Sequence, residues 1–275
     1  MKHLLLTAMA DINESLRSRW FLIYTLIFGG IVVALFITGL TESRVMGFTG
    51  LSRTLVTYLQ ITMAILPVFV LLTTVRSVAG DREAGVFEYL LSLPVGLAAW
   101  YWGKIIGRFI VVFLPVVLAM LLAVIWAAIR GAEIPWGQVL FYTLLLLVLA
   151  WCFLGIGMLI SSLARTTDVA QGAAFILWLG LLLFLDLILL GIMIQNGAAS
   201  ETVVLIALLN PLQVFRTSAM MLFDPQLVLL GPSAWVILDT FGHIGYLVYS
   251  VIYPLVLGTL CAWLGYVFFK RGDLP

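Results

Sequence analysis

The sequence predicts an all-α membrane protein, a single transmembrane domain over residues 1–275 with six spans per chain, and three observations lead there. Of the 275 residues, 64% are hydrophobic and 10% charged, against roughly 25% charged in soluble domains. The apolar residues gather in six runs of membrane length, at 20–40, 55–75, 105–129, 139–160, 171–194 and 244–269. About 21 residues at 1.5 Å each make a helix of about 31 Å, close to the thickness of the hydrocarbon layer. Period-two alternation is missing from these runs. Unpaired backbone groups cannot face lipid, so helices are the way across, and a cytosolic monomer is excluded.

Residues 1–19 come first. Leu5, Ala8, Met9, Ile12 and Leu16 form one helical stripe opposite Asp11, Asn13, Glu14 and Arg17, the pattern of a helix lying in the membrane interface. Lys2, Leu4 to Leu6 and Ala8-Met9-Ala10 imitate a signal peptide, but the apolar core is too short for one. Spans one and two follow. Ten basic residues (Lys2, Arg17, Arg19, Arg76, Arg82, Lys104, Arg108, Arg165, Lys270 and Arg271) fall on the termini and even-numbered loops. Four (Arg44, Arg53, Arg130 and Arg216) fall on the other side, which predicts cytoplasmic termini. Trp20, Trp100, Tyr101, Trp102, Trp136, Tyr142, Trp235 and Tyr246 lie near span ends, where amphipathic rings prefer the headgroup layer.

After span two, residues 80–94 predict a short, charged, amphipathic helix. Val86, Phe87, Leu90 and Leu91 are helical neighbours, Glu83 and Glu88 carry charge, Gly85 permits a bend, and Pro94 ends the element. Two turns are not stable alone, so the helix must pack on something: its own bundle, the membrane surface, or a partner. Spans three and four and the loop Ser161 to Asp168 come next, then span five with Asp186 inside it. An ionised Asp near mid-membrane costs about 2.5 to 3.5 kcal/mol on insertion scales. Asp186 is therefore either a functional polar point or one end of a structural hydrogen bond. Residues 195–243 are too polar to cross and too apolar to be a free linker, which predicts short helices on the outer surface. Asn210-Pro211 starts one, with a capping side chain and a proline at the first helical position. Asp224-Pro225 closes it, Gly231-Pro232-Ser233 opens another piece through Ile237, and span six follows. Pro67, Pro115 and Pro254 supply bends, and Gly103/Gly107 and Gly258/Ala262 allow close helix contact.

No catalytic, cofactor or metal site is predicted. The only Gly-Lys pair, Gly103-Lys104, continues into Ile105, where a phosphate-binding loop needs Ser or Thr, so this chain cannot hydrolyse ATP. His3 and His243 are far apart, and Cys152, Cys261, Met120, Met158 and Met220-Met221 have no ligand spacing, so packing is the reading for each. The net charge of +1 gives no sign of a nucleic-acid partner. An ion-driven secondary transporter would show similar halves and midplane charges. An intramembrane enzyme would need a second acid, or a His partner for Ser161 or Ser162. Neither pattern is present.

The run from Glu83 to Pro94 after the second of six spans, with Asn210-Pro211-Leu212 further on, resembles the ABC-2 type permeases, membrane subunits of ATP-binding-cassette transporters. The resemblance covers essentially the whole chain. It implies a bacterial inner-membrane location, a homodimer, and two copies of a separate ATPase that carry the ATP and Mg. It also implies that Asp81, Arg82, Glu83, Gly85, Phe87, Glu88, Leu91 and Pro94 form a coupling helix for that ATPase, with a smaller contact around Arg165. The run from Val75 to Glu88, the lack of a large outer domain and the ending Lys270-Arg271-Gly272-Asp273 are similar to the NosY type of permease. That narrower resemblance implies a role in copper-site maturation of nitrous-oxide reductase, with a NosF-type ATPase, a NosD-type periplasmic protein and a copper chaperone as partners. An exporter permease for another small or lipophilic substrate is the alternative, with an ion-driven secondary transporter behind it.

Overall fold

A computed structural model describes residues 2–17, 21–23, 25–27, 29–30, 49–92, 95–129, 136–184, 201–223 and 232–272. Its helices are α1 (Lys2–Leu16), α2 (Thr49–Thr74), α3 (Arg76–Glu83), α4 (Val86–Leu91), α5 (Leu97–Ile129) and α6 (Trp136–Leu163). They continue with α7 (Thr167–Leu179, running on as a π-helical turn, Gly180–Phe184), α8 (Glu201–Leu209), α9 (Pro211–Phe223) and α10 (Pro232–Gly272). No strand occurs among the described residues. Four stretches are long and apolar enough to cross a membrane: Thr62–Glu83, Leu97–Leu122, Trp136–Leu163 and Phe241–Gly272. They fall on predicted spans two, three, four and six. Span one is helical at 21–23, 25–27 and 29–30, and span five through 184. The rest of both, with Asp186, lies outside the described residues, as do Leu93-Pro94, Asp224-Pro225 and Gly231.

Helix α6 is the axis of the bundle. Its side chains from Tyr142 to Ser162 are largely buried, with α2, α5, α9 and α10 packed around it. The most extensive contact is with α10, and glycine makes it. A Cβ on Gly155 would collide with the carbonyl of Gly258, and one on Gly258 would sit 2.7 Å from Cys152 Cα. Without side chains at the crossing the two backbones touch, which maximises the dispersion contacts that hold helices together in lipid. One turn on, Tyr101 of α5 donates a 3.0 Å hydrogen bond to the carbonyl of the buried Ala262. On the far side of α5, Ile106, Ile110, Leu114, Leu118, Leu122, Ile125 and Ile129 form an exposed apolar stripe at three- and four-residue spacing, as a lipid-facing helix requires.

Four expectations change on contact with the structure. Helix α1 buries Ala8, Asp11 and Ser15 and leaves Leu5, Leu6 and Met9 exposed, so Asp11 is on the packed side and not the polar one. The reason lies on α5: Gly103 and Gly107 bring its backbone up to Leu4, Thr7 and Ala8, and Arg108 offers Asp11 an ion pair at 3.2 Å. Trp100, Tyr101, Tyr142 and Tyr246 are buried in the core, while Trp136 stays exposed. Helix α9 is buried on nearly every side, Gln213, Thr217 and Ser218 included, between α2, α6 and α10; these small or uncharged polar groups make insertion tolerable. The piece expected to stop at Ile237 continues to Gly242, where φ 65° and ψ 167° break α10.

The helix start at Asn210 is as expected. Its Oδ1 accepts from the Leu212 N–H at 3.0 Å, and its Nδ2 donates at 2.9 Å to the carbonyl of Leu181. One side chain thereby caps α9 and satisfies a carbonyl in the π-helical turn. Cys152 and Cys261 are free thiols, the first of them buried.

Candidate coupling surface

Residues 80–94 do not form one helix. Helix α2 stops at Thr74, α3 begins at Arg76, and Ala84-Gly85 separates α3 from α4. Gly85 has φ 68°, the left-handed region that costs a side-chain-bearing residue about 1 to 2 kcal/mol. It lets α4 turn away from α3.

The two loops at this end of the bundle are joined by exchanged caps. Val75 has no capping side chain for α3. In its place Ser161, fully buried near the end of α6, accepts from the N–H groups of Val78 (2.9 Å) and Ala79 (3.0 Å) and donates to the Val75 carbonyl (2.6 Å). Arg82 near the C-terminus of α3 returns the service, donating to the carbonyl of Ser162 at 3.1 Å and to that of Ala164. Both lie at the C-terminal end of α6, where carbonyls have no helical partner and the macrodipole favours a cation. Glu83 accepts from Thr167 N–H (3.1 Å) and Oγ1 (2.7 Å), placing an anion on the first turn of α7, where Thr166 also caps Val169 at 3.4 Å. Apart from the local cap by Thr166, these helix ends are thus served by residues about 80 positions away.

Asp81 pairs with Lys104 of α5, whose ammonium also reaches the Ser77 carbonyl at 3.1 Å and stands 4.6 Å from the Trp100 ring centroid. Phe87 turns inward. Its ring lies 5.5 Å from Trp100, edge-on, and 5.3 Å from Phe269 near the end of α10, and Trp100 stacks on Phe269 at 5.3 Å. The α4 helix is thereby nailed to both α5 and α10.

The residues singled out from the sequence therefore divide. Asp81, Arg82 and Glu83 bind within the chain, Phe87 is core, and Gly85 makes the turn. Glu88 and Arg165 are exposed. Leu91 ends α4, and Pro94 falls outside the described residues. Sequence reasoning missed Tyr89, which is 70% exposed beside Glu88, and Lys104; it placed Ser161 and Thr167 in the second contact loop without seeing that they bond to α3. The helical phase held a signal for Tyr89: once Val86 and Phe87 face inward, Glu88 and Tyr89 face out. Leu163, Asp168 and Val169 are exposed on the neighbouring loop. The result is a mixed apolar and charged patch on a rigid base, with no group of three or more His, Cys, Asp or Glu able to hold a metal among the described residues.

Comparison with known proteins places the chain as a whole. Residues 6–274 match the family described as ABC-2 family transporter protein. A protein of Stutzerimonas stutzeri named probable ABC transporter permease protein NosY is 25% identical over 215 residues, covering 76% of this chain and 78% of its own. The protein of the same name from Pseudomonas aeruginosa is 27% identical over 226 residues, covering 79% and 81%.

Proposed function

Because the chain belongs to the ABC-2 family of transporters, we propose that it is a permease subunit worked through the patch around Glu88 and Tyr89 by a separate ATPase. The observation that carries this reading is the exchange of caps among α3, α6 and α7. A load applied to α4 or to the 164–166 loop passes at once into α2, α6 and α7, because Ser161, Arg82 and Glu83 bond those elements together. The transmitting part is stiff and the exposed part is small.

In this reading two ATPase copies, which hold the ATP and Mg, drive a homodimer of the chain in a bacterial inner membrane, with both termini cytoplasmic. The similarity to the two NosY proteins supports a NosF-type ATPase, a NosD-type periplasmic partner and a copper chaperone. The end served is then copper-site assembly of nitrous-oxide reductase, by transport or by mechanical signalling across the membrane. Asp186 is a candidate polar point on that path.

The test is ATPase stimulation by the purified pair. Glu88→Arg and Tyr89→Ala should each lower permease-stimulated hydrolysis severalfold and leave the permease's unfolding temperature unchanged. Phe87→Ala should instead lower that temperature, since emptying a buried aromatic site costs about 3 to 5 kcal/mol. Unchanged stimulation and association in both surface variants would remove the docking assignment. Purification from a native membrane should recover the ATPase and a periplasmic copper-linked protein; recovery of the ATPase alone would favour an exporter of another substrate.

A further inference from the structure

A cavity of about 940 Å³ opens between α1, the start of the first span, α2, α3, α5 and α7. Its two ends differ in chemistry. Ile65, Phe69 and Leu72 line one end, at i, i+4 and i+7 on a single face of α2, and Ile23 and Ile27 of the first span also belong to the lining. That end is a slot between two hydrocarbon-depth segments. At the other end stand Arg76, Lys104 and Arg108 with Ser15 and Ser77.

The polar end has unspent donors. Ser15 and Ser77 are 7% and 1% exposed, and neither hydroxyl has a hydrogen-bond partner among the described residues, an arrangement that costs free energy unless something binds there. Arg108 gives Nε to Asp11 and Nη1 to the Thr73 carbonyl, which leaves part of its five-donor fork free. Lys104 uses two of its three protons on Ser77 O and Asp81. Arg76 is exposed at the edge. Of the acids in the lining, Asp81 and Glu83 are engaged by Lys104 and Thr167, and Glu14 is exposed to solvent. Donors crowded below an apolar slot match a phosphate group that carries a hydrocarbon chain.

We propose that this cavity binds one glycerophospholipid, its phosphate held by Arg76, Arg108, Ser15 and Ser77 and an acyl chain laid along Ile65, Phe69 and Leu72. The lipid then touches the Gly80 to Ala84 stretch that leads into the coupling patch, so its headgroup packs directly against the element that would receive the ATPase stroke.

The full chain, stripped of lipid in detergent, is titrated with dioleoyl phosphatidylethanolamine, with dioleoylglycerol and with inorganic phosphate, and bound lipid is read by native mass spectrometry. One phospholipid should bind at least about tenfold more tightly than the diacylglycerol, about 1.4 kcal/mol for the phosphate contacts. Inorganic phosphate in excess should displace little of it. Arg76→Gln, at an exposed position, removes a headgroup contact, and Leu72→Trp fills the slot; each should reduce retention about tenfold with the unfolding temperature of the lipid-free protein unchanged. Equal binding of phospholipid and diacylglycerol, or wild-type retention in both variants, overturns the site. Full displacement by inorganic phosphate also overturns it, assigning the polar end to a free anion.

Discussion

At the scale of single residues, the two adjacent serines at the end of α6 make opposite predictions. Ser161 serves two amides and one carbonyl of another helix, whereas Ser162 Oγ donates back to Met158 of its own. Ser161→Ala should cost about 1 to 3 kcal/mol, the penalty for stranding buried backbone groups, and Ser162→Ala clearly less. Thermal unfolding of the two purified variants decides it. Nothing in the sequence sets one serine above the other. What separates them is a contact with Val78, 83 positions away, and local pattern carries no information on such a distance. The intrachain bonds of Asp81, Arg82 and Glu83 are invisible for the same reason, because their partners Lys104, Ser162, Ala164 and Thr167 belong to other elements.

At the scale of elements, the long helices were legible because a twenty-residue apolar run has one solution in lipid. Of the breaks near them, the bend at Gly85 was legible and those at Val75 and Gly242 were not. Pro67, Pro115 and Pro254 sit inside helices, whereas Val75, Gly85 and Gly242 mark interruptions. A proline can be absorbed where a neighbour satisfies the freed carbonyl, while the positive φ of Gly85 and Gly242 cannot continue a helix; Val75 keeps helical angles, and the break there is marked by Ser161 taking the amides of the next turn. Gly85→Ala should therefore destabilise the α3–α4 turn by about 1 to 2 kcal/mol and weaken ATPase stimulation without altering Glu88 or Tyr89. The α6–α10 crossing is less forgiving. Gly155→Leu puts a side chain where the Gly258 backbone lies, and should separate the two helices, read as loss of the monodisperse species in size-exclusion chromatography.

For the molecule as a whole, attachment of α1 is a pH-sensitive joint. Burial raises the pKa of Asp11 above 3.8, outweighing Arg108 and Lys104 nearby. A carboxyl that holds its proton more tightly in the folded state adds stability below its unfolded pKa and loses it as pH rises through the higher, folded value. Amide protection across residues 3–16, taken relative to the intrinsic exchange rate at each pH, should accordingly be greatest in acid and fall toward neutrality, and Asp11→Asn should flatten that dependence. The exchanged caps also set an order of manufacture. When the ribosome has delivered α3 through α5, the amides of Val78 and Ala79 still await an acceptor that lies in α6. The nascent elbow keeps these amides in water until residue 161 emerges, so its final shape is an event of late synthesis, sealed only once α6 has joined it.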